Sequence, residues 1–448
     1  MTVPRLFHPP VKLAIIVRMT AFTGGAGKVE SVMGNETLIQ CERLWIDVRL
    51  ATFDPAVAAP YGLLEKHALA VRRGAIAAIL PLEQVALSGF GGEVIDGRGG
   101  LLTPGLIDSH THLVYGGHRT REFEQRLLGK SYREISRDGG GILATVRSTR
   151  ALSREQLVAQ ARPRLEALIA EGVTSVEIKS GYGLTVADEL KMLRAARDLA
   201  RDYPVRVSTT LLAAHCVPPE FCGQADRYVE MICRELLPRV VEERLADAVD
   251  VFCEQLAFSL EQTERIFAAA RQAGLGIKVH AEQLSPGGAA ALAARFSARS
   301  ADHLEWLDEA GVLALKAAGS VATLLPGAFY VLRESRKPPV ALLRQHGVPM
   351  ALATDLNPGT SPLASLRLML NMGCVLFGLT PEEALTAVTR NAAVALGLGE
   401  VLGTLSVGKQ ADLLLWDIDQ PARLVEELGS IRPRQRIVRG EIVHASRS

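Results

Sequence analysis

Four short apolar segments of the sequence each end in side chains that bind metal ions or move protons. These side chains are His110 with His112, His280, His303 and Asp355. Because His110 and His112 are two residues apart on a predicted strand, they point to the same face and can bind one ion together. Three neutral imidazoles and one carboxylate suit Zn²⁺ or Fe²⁺ and leave a position for water. Such a centre activates water at neutral pH for attack on a carbonyl.

The elements that must position these side chains alternate between strand and helix. Residues 153–172 are predicted to form a helix that begins with a capping box at Ser153 and Gln156, and 173–179 the next strand. Repeated units of this kind over about 300 residues indicate an α/β fold with a parallel sheet. A closed eight-stranded TIM-type barrel and an open doubly wound sheet both fit this periodicity. The reactive strand ends favour the barrel, whose active sites lie at the carboxyl ends of the strands.

Both ends of the chain are rich in short strands and turns instead. We predict that residues 36–100 and 403–448 pair into one small discontinuous β-domain, a β-sandwich, beside a barrel of residues 101–402. Residues 1–35 have a different character. They are predicted to be a disordered leader or an extension from an upstream start.

Composition excludes several classes of protein. The 50 Lys and Arg residues balance 49 Asp and Glu residues, so no basic surface for nucleic acid is expected. No apolar run approaches the roughly 20 residues that span a bilayer, so no membrane partner is expected. Six cysteines are too sparse for a disulfide framework and favour reduced thiols in the cytoplasm.

The segment around the histidine pair also carries a resemblance. Residues 103–113 resemble the opening signature of the amidohydrolase superfamily, and 403–413 resemble its closing one. Within that superfamily the chain is similar to the imidazolonepropionase family of histidine breakdown. This narrower similarity rests on residues 112–119, 177–184, 214–218 and 354–360.

The resemblance implies a metal-dependent barrel that opens the ring of 4-imidazolone-5-propanoate to give N-formimino-L-glutamate. It implies one zinc or iron ion per subunit, held by His110, His112, His280 and Asp355. Asp355 and His303 are the candidates for proton transfer, and an orienting role for His303 stays open. The choice between zinc and iron also stays open. A homodimer is the oligomer that the family suggests.

A substrate with a propanoate tail requires a receptor for its carboxylate. Arg119, seven residues after His112, has the planar fork that binds carboxylates in pairs of hydrogen bonds, although a solvated surface arginine is the alternative. By family position, further side chains line the substrate or product. These are Tyr182, His215, Gln283, Asn357, Gly359 and Thr360. Gln283 is assigned to binding only, because a neutral amide cannot act as a base.

Two other functions share these features. A related deaminase acting on a pyrimidine or purine would use the same metal residues, but Arg119 and Tyr182 favour an acidic substrate. A catalytically inactive scaffold of the same fold would serve assembly alone. The intact set of four metal-binding side chains argues against that scaffold, because it has no need of them.

Overall fold

The computed structural model describes residues 38, 40–130, 134 and 140–445. The predicted leader, residues 1–35, lies outside this part of the chain. Within it, the strands form two separate sheets, one of eight strands and one of seven.

The eight-stranded sheet is the barrel. Its strands are β5 (Leu106–Asp108), β6 (Val173–Lys179), β7 (Arg206–Ala214), β8 (Ala248–Cys253), β9 (Gly276–Ala281), β10 (Ser300–His303), β11 (Val321–Leu324) and β12 (Met350–Leu352). Each strand pairs in parallel with the next one along the chain. Nearly every residue of these strands is buried, as expected for a parallel sheet covered by helices outside.

The barrel closes just beyond the ends of β5 and β12. There the amide of Asp355 donates to the carbonyl oxygen of His110 at 3.0 Å, and the amide of His112 donates to that of Leu356 at 3.0 Å. The first and last strands are thereby joined through the segments that carry three of the predicted metal residues. The predicted barrel is confirmed. The hydrogen bonds that close it join residues far apart in the chain, so the periodicity of the sequence alone cannot distinguish the barrel from an open sheet.

Helices connect the strands. They span Thr120–Leu127, Ile142–Arg150, Arg154–Ala170, Val186–Asp202, Ala225–Met231, Leu237–Glu242, Leu260–Gln272, Ala289–Arg295, Glu309–Ala318, Pro326–Leu332, Val340–His346, Leu366–Phe377, Pro381–Ala387, Arg390–Ala395 and Arg423–Glu426, with a π-helical turn at Ile232–Leu236. Capping boxes begin three of them, at Ser153, Ser259 and Thr380. In each, the side chain of the cap and that of the third helical residue satisfy backbone amides that lack partners inside the helix.

The seven-stranded sheet combines both ends of the described chain, as predicted. Its strands are β1 (Arg43–Ala51), β2 (Leu63–Arg72), β3 (Ala75–Pro81), β4 (Glu93–Pro104), β13 (Leu413–Trp416), β14 (Gln435–Val438) and β15 (Glu441–Ala445). The sheet is mixed, because β1 and β4 run parallel while the other neighbours are antiparallel. The predicted domain boundary at residue 100 falls inside β4, so residues 101–104 belong to this sheet.

One buried arginine ties the C-terminal segment to the barrel. Arg367, on a barrel helix, is 1% exposed. Its guanidinium donates hydrogen bonds to the carbonyl oxygens of Leu424, Glu427 and Ile431 at 2.6 to 3.0 Å. Because five guanidinium N–H groups can satisfy several carbonyls at once, one side chain can cap this irregular segment without leaving buried polar atoms unpaired.

None of the helices in the described residues combines the length and apolar character that a bilayer crossing demands.

Candidate active site

The structure brings together the four side chains predicted to bind a metal ion. The Nε2 atom of His112 lies 3.3 Å from Oδ1 of Asp355 and 3.4 Å from Nε2 of His280. The Nε2 atom of His110 lies 3.5 Å from the same carboxylate oxygen. All four residues are at most 3% exposed. They meet at the carboxyl ends of strands β5, β9 and β12, where a barrel places its chemistry.

The ligand atoms of this cluster fit a metal ion. Those of His110, His112 and Asp355 all lie within 4.8 Å of one another, and so do those of His110, His280 and His303. The buried Nε2 of His110 has no hydrogen-bond partner among the described residues. Imidazole nitrogens and a carboxylate oxygen that converge in this way can bind one cation together, and this combination of ligand atoms suits zinc or iron.

Two aspartates hold the histidines from behind. Oδ2 of Asp302 lies 2.6 Å from Nδ1 of His110, and Oδ1 of Asp250 lies 3.1 Å from Nδ1 of His280. A carboxylate on Nδ1 fixes the tautomer and the ring orientation, and it makes Nε2 a better metal ligand. Both aspartates are fully buried and come from β10 and β8, the two strands that flank β9.

Two buried lysines balance these carboxylates. Nζ of Lys179 lies 2.7 Å from Asp250 and 2.9 Å from Glu177, while Nζ of Lys278 lies 2.8 Å from Glu177. Both lysines also approach Asp302, at 3.7 and 3.8 Å. Burial lowers the pKa of Lys179, but the carboxylates of Asp250, Glu177 and Asp302 outweigh it and raise that pKa. The ammonium of Lys179 therefore stays charged inside the barrel.

The protonation states suit metal binding and proton transfer. Burial opposes ionisation of Asp355, but its contacts with His110 and His112 outweigh burial and hold its pKa well below the usual range. Burial lowers the pKa of His112 to about 4 and that of His303 to about 3. Burial and Lys179 lower the pKa of His110, yet Asp302 and Asp355 outweigh them and raise it. At neutral pH, Asp355 is a carboxylate and His303 an unprotonated acceptor.

His303 stands beside the metal cluster at the end of β10. Its ring centroid is 5.4 Å from that of His280 and 5.9 Å from that of His110. Its Nδ1 is buried without a hydrogen-bond partner among the described residues. His303 and Asp355 both have positive φ, 81° and 50°. Residues other than glycine hold such backbone only where the surroundings impose it, as they do at functional sites.

Tyr182 and His215 form an aromatic wall on the other side of His112. The His215 ring stacks on His112 with centroids 5.2 Å apart and planes at 20°, and the Tyr182 ring lies 5.3 Å from His215. The loop that carries Tyr182 is held by Glu189, whose buried carboxylate accepts hydrogen bonds from the amides of Gly181, Gly183 and Leu184 at 2.7 to 3.1 Å. The tyrosine is therefore presented to the site by a fixed loop.

The segment after Asp355 is organised by one amide side chain. Nδ2 of Asn357 donates to the carbonyl oxygen of Asp355 at 2.7 Å, and its Oδ1 accepts from the amides of Gly359 and Thr360 at 2.8 and 2.7 Å. This pattern of an asparagine bonding the backbone two residues on stabilises a turn. The side chain of Asn357 is thus engaged in the turn, while the backbone around Gly359 faces Arg119.

Arg119 approaches Gly359 closely. A Cβ atom added at Gly359 would lie 2.0 Å from Nη1 of Arg119. Two N–H groups of Arg119, on Nε and Nη2, donate to Oε2 of Glu122 at 2.9 and 2.6 Å. The guanidinium of Arg119 is therefore oriented by the protein and partly buried, unlike a solvated surface arginine.

Gln283 follows β9. Its backbone amide donates a hydrogen bond to Oε1 of Glu254 at 2.8 Å.

Four residues of this site escape the sequence analysis. They are Glu177, Asp250, Lys278 and Asp302, which support the histidines from below. A signal exists for them, because charged side chains inside buried apolar strands are rarely found unless paired. Lys278 lies two residues before His280, and Glu177 two before Lys179, so both point into the barrel. Their partners come from distant strands, which no local pattern identifies.

A sequence profile of the amidohydrolase family matches residues 101–443. An imidazolonepropionase from Chromobacterium violaceum is 58% identical over 401 residues, which cover 90% of this chain and 97% of that protein. The imidazolonepropionase of Hahella chejuensis is 56% identical over 398 residues, covering 89% and 98%. The chain therefore belongs to the amidohydrolase family and, within it, to the imidazolonepropionase family.

Solved structures show the same fold at lower identity. A 5-methylcytosine deaminase from Klebsiella pneumoniae superposes with a TM-score of 0.69 at 19% identity, covering 90% of this chain and 98% of its own. An adenosine deaminase from Xanthomonas campestris with bound zinc gives 0.65 at 19% identity, covering 90% and 93%. These neighbours share the barrel and the added sheet, while the much higher identity to imidazolonepropionases separates this chain from the deaminases.

Proposed function

We propose that this protein hydrolyses 4-imidazolone-5-propanoate to N-formimino-L-glutamate, with a single metal ion held by His110, His112, His280 and Asp355. The observation that carries the proposal is the 58% identity to an imidazolonepropionase over 90% of the chain. The converging cluster of buried nitrogen and oxygen ligands supports it independently. An inactive scaffold has no use for such a cluster.

The reaction adds water across the bond between the ring carbonyl carbon and the ring nitrogen. The carbon–nitrogen bond breaks, one proton of the water passes to the departing nitrogen, and the new carboxyl group gives up the other as it ionises to a carboxylate. When bound, a zinc or iron ion supplies Lewis acidity, which activates water and polarises the carbonyl. Asp355, ionised at neutral pH, is suited to accept the proton of the water and return it to the nitrogen.

His303 offers a second path for the proton. Its unprotonated ring and unpartnered Nδ1 allow it to accept a hydrogen bond from water or substrate. Gln283 lies near the same edge of the barrel and is proposed to orient the ring by hydrogen bonds. Since it has no ionisable group, the proton transfers fall to Asp355 and His303.

The remaining site residues are proposed to bind the substrate. Arg119 is the receptor for the propanoate group, and Tyr182 and His215 pack against the ring. The turn of Asn357, Gly359 and Thr360 supplies backbone that lies against Arg119. These roles agree with an acidic substrate, whereas a neutral pyrimidine offers no anion to the donors of Arg119 that Glu122 does not use.

The ion pairs of Lys179 support a single metal ion. A lysine that bridges two metals must be modified at Nζ so that it is no longer an ammonium, but Nζ of Lys179 here contacts the carboxylates of Asp250 and Glu177 as an ammonium does. We also propose that the protein is a homodimer in the cytoplasm. Metal analysis of the purified protein tests for the single ion, and its molar mass in solution by light scattering tests for the dimer.

The test of function follows the ultraviolet absorbance of freshly generated imidazolonepropionate. Metal-loaded protein is expected to remove the signal, and chelated protein is expected to do so far more slowly. The product is identified as N-formimino-L-glutamate by mass spectrometry. Cytosine and adenosine serve as comparison substrates, because their deamination without loss of imidazolonepropionate would favour the deaminase alternative. No metal-dependent loss of absorbance contradicts the proposal.

A further inference from the structure

A second arginine lies beside the predicted carboxylate receptor and has no role yet. Arg126 is on the same helix as Glu122 and is half-buried. Its Nη2 donates to the carbonyl oxygen of Gly359 at 3.0 Å, the one hydrogen bond that this side chain makes within the described residues. Gly359 therefore lies between the two guanidinium groups, with Nη1 of Arg119 against its Cα and Arg126 on its carbonyl.

Among the residues that the structure describes, the charges around Gly359 do not balance. Glu122 is buried and neutralises one positive charge, and its oxygens are already taken by Arg119 and by the amide of Gly141 at 3.0 Å. Two arginines against one glutamate leave one positive charge. Burial and the like charge of Arg119 lower the pKa of Arg126, so the two cations sense each other. An anion that pairs with a half-buried guanidinium is attracted more strongly than by an exposed one, because less water screens the two charges.

Arg119 also keeps hydrogen-bond donors that an anion could use. Glu122 takes the edge formed by Nε and Nη2, and Nη1, which packs against Gly359, donates no hydrogen bond to the described residues. Nη1 thus lies on the Gly359 side, where Arg126 is also bonded. A single carboxylate there would compensate the excess charge and use the free donors of both arginines.

We propose that Arg126 is the second cation of the substrate's carboxylate subsite and that Glu122 is a positioning residue that aims Arg119 into it. This inference rests on the proposed function for the identity of the substrate. Arg126 would then determine specificity, because the net positive charge of Arg119, Arg126 and Glu122 favours a substrate with a carboxylate over a neutral one of the same shape.

The test compares an acid with its amide. Arg126→Gln is assayed with imidazolonepropionate, and its binding of imidazole-4-propanoate and of the corresponding propanamide is measured by calorimetry. We expect KM and the dissociation constant of the acid to rise about tenfold, with kcat within about twofold and amide binding unchanged. Arg126→Lys keeps the charge and is expected to retain most of the affinity. Arg121→Gln, an exposed arginine of the same helix, is the matched control.

The outcomes separate the two proposals. If acid and amide binding change equally, or neither changes, Arg126 is not part of a carboxylate subsite. If wild-type protein binds the acid better than the amide but does not consume imidazolonepropionate, the proposed function fails while the subsite stands. Thermal melting checks that each variant is folded. Arg126→Met replaces Arg126→Gln if the latter does not fold, since it keeps the apolar stem without the charge.

Discussion

The candidate metal site and the carboxylate corner, by which we mean Arg119, Glu122, Arg126 and Gly359, are built in different ways. The four proposed metal ligands lie at strand ends and are almost fully buried. Two of the histidines among them are held from behind by Asp250 and Asp302. In the corner, Arg119 and Arg126 lie on and beside one short helix, are partly exposed, and depend on Glu122 and a glycine carbonyl. The proposed roles therefore place reactivity on the rigid barrel and substrate choice on a helix and a turn, which can vary more easily.

The largest effect is expected from replacing Asp355, whose carboxylate contacts both His110 and His112 in the candidate metal site. Asp355→Asn keeps the shape but loses both the negative charge beside His110 and His112 and the proton acceptor. We expect kcat/KM to fall at least about 10³-fold, since a general base alone contributes about 10²–10⁴-fold. Initial rates of absorbance loss measure this. Asp308→Asn, at an exposed helix cap, is the control and should keep full activity. Activity of Asp355→Asn within tenfold of wild type would contradict both assigned roles.

The four proposed ligand residues can be selected from the sequence because each ends an apolar run, which is a local signal. The fold can be predicted for the same reason, except for the closure of the barrel, which depends on backbone bonds between residues 110 and 355, far apart in the chain. The boundary at residue 100 falls inside β4 because a strand that leaves one sheet and a strand that enters the next look alike in sequence. Glu122 and Arg126 had no signal, because a charged helix face is ordinarily a solvated one.

Replacing a buried lysine tests whether the ion pairs around the candidate metal site also stabilise the fold. Lys278→Met removes the ammonium that contacts Glu177 and the carbonyl oxygen of Ser109, both at 2.8 Å. Because it leaves a buried carboxylate partly uncompensated, we expect a loss of about 3–5 kcal/mol of unfolding free energy. Arg265→Met breaks the exposed pair with Asp226 and should cost at most about 1 kcal/mol. Denaturant unfolding compares them. Equal losses would mean that the barrel interior tolerates unpaired charge.

The aspartate behind His110 is predicted to tune metal affinity. In the metal-free protein Asp302 raises the pKa of His110, so a proton there competes with the metal, and metal binding should be accompanied by proton release. In Asp302→Asn burial and Lys179 lower the pKa of His110, so less proton is released. Losing the oriented ring should weaken binding by about 10–100-fold. Chelator competition gives the affinity, and calorimetry in buffers of different ionisation enthalpy gives the protons. Unchanged values in Asp302→Asn would reduce Asp302 to a packing residue.

The smallest effect is expected in the corner, from Gly359→Ala. No positive φ requires glycine at this position, so the backbone accepts alanine, but the new Cβ meets Nη1 of Arg119 at 2.0 Å. Because a long side chain can move aside, we expect stability to change by less than about 1 kcal/mol, whereas KM rises about three- to tenfold at constant kcat. Gly91→Ala, in open space on the small domain, is the matched control. A fall in kcat as large as the rise in KM would show that Gly359 and Arg119 also position the reacting carbonyl. Reactivity and substrate recognition would then not be separated between the two regions.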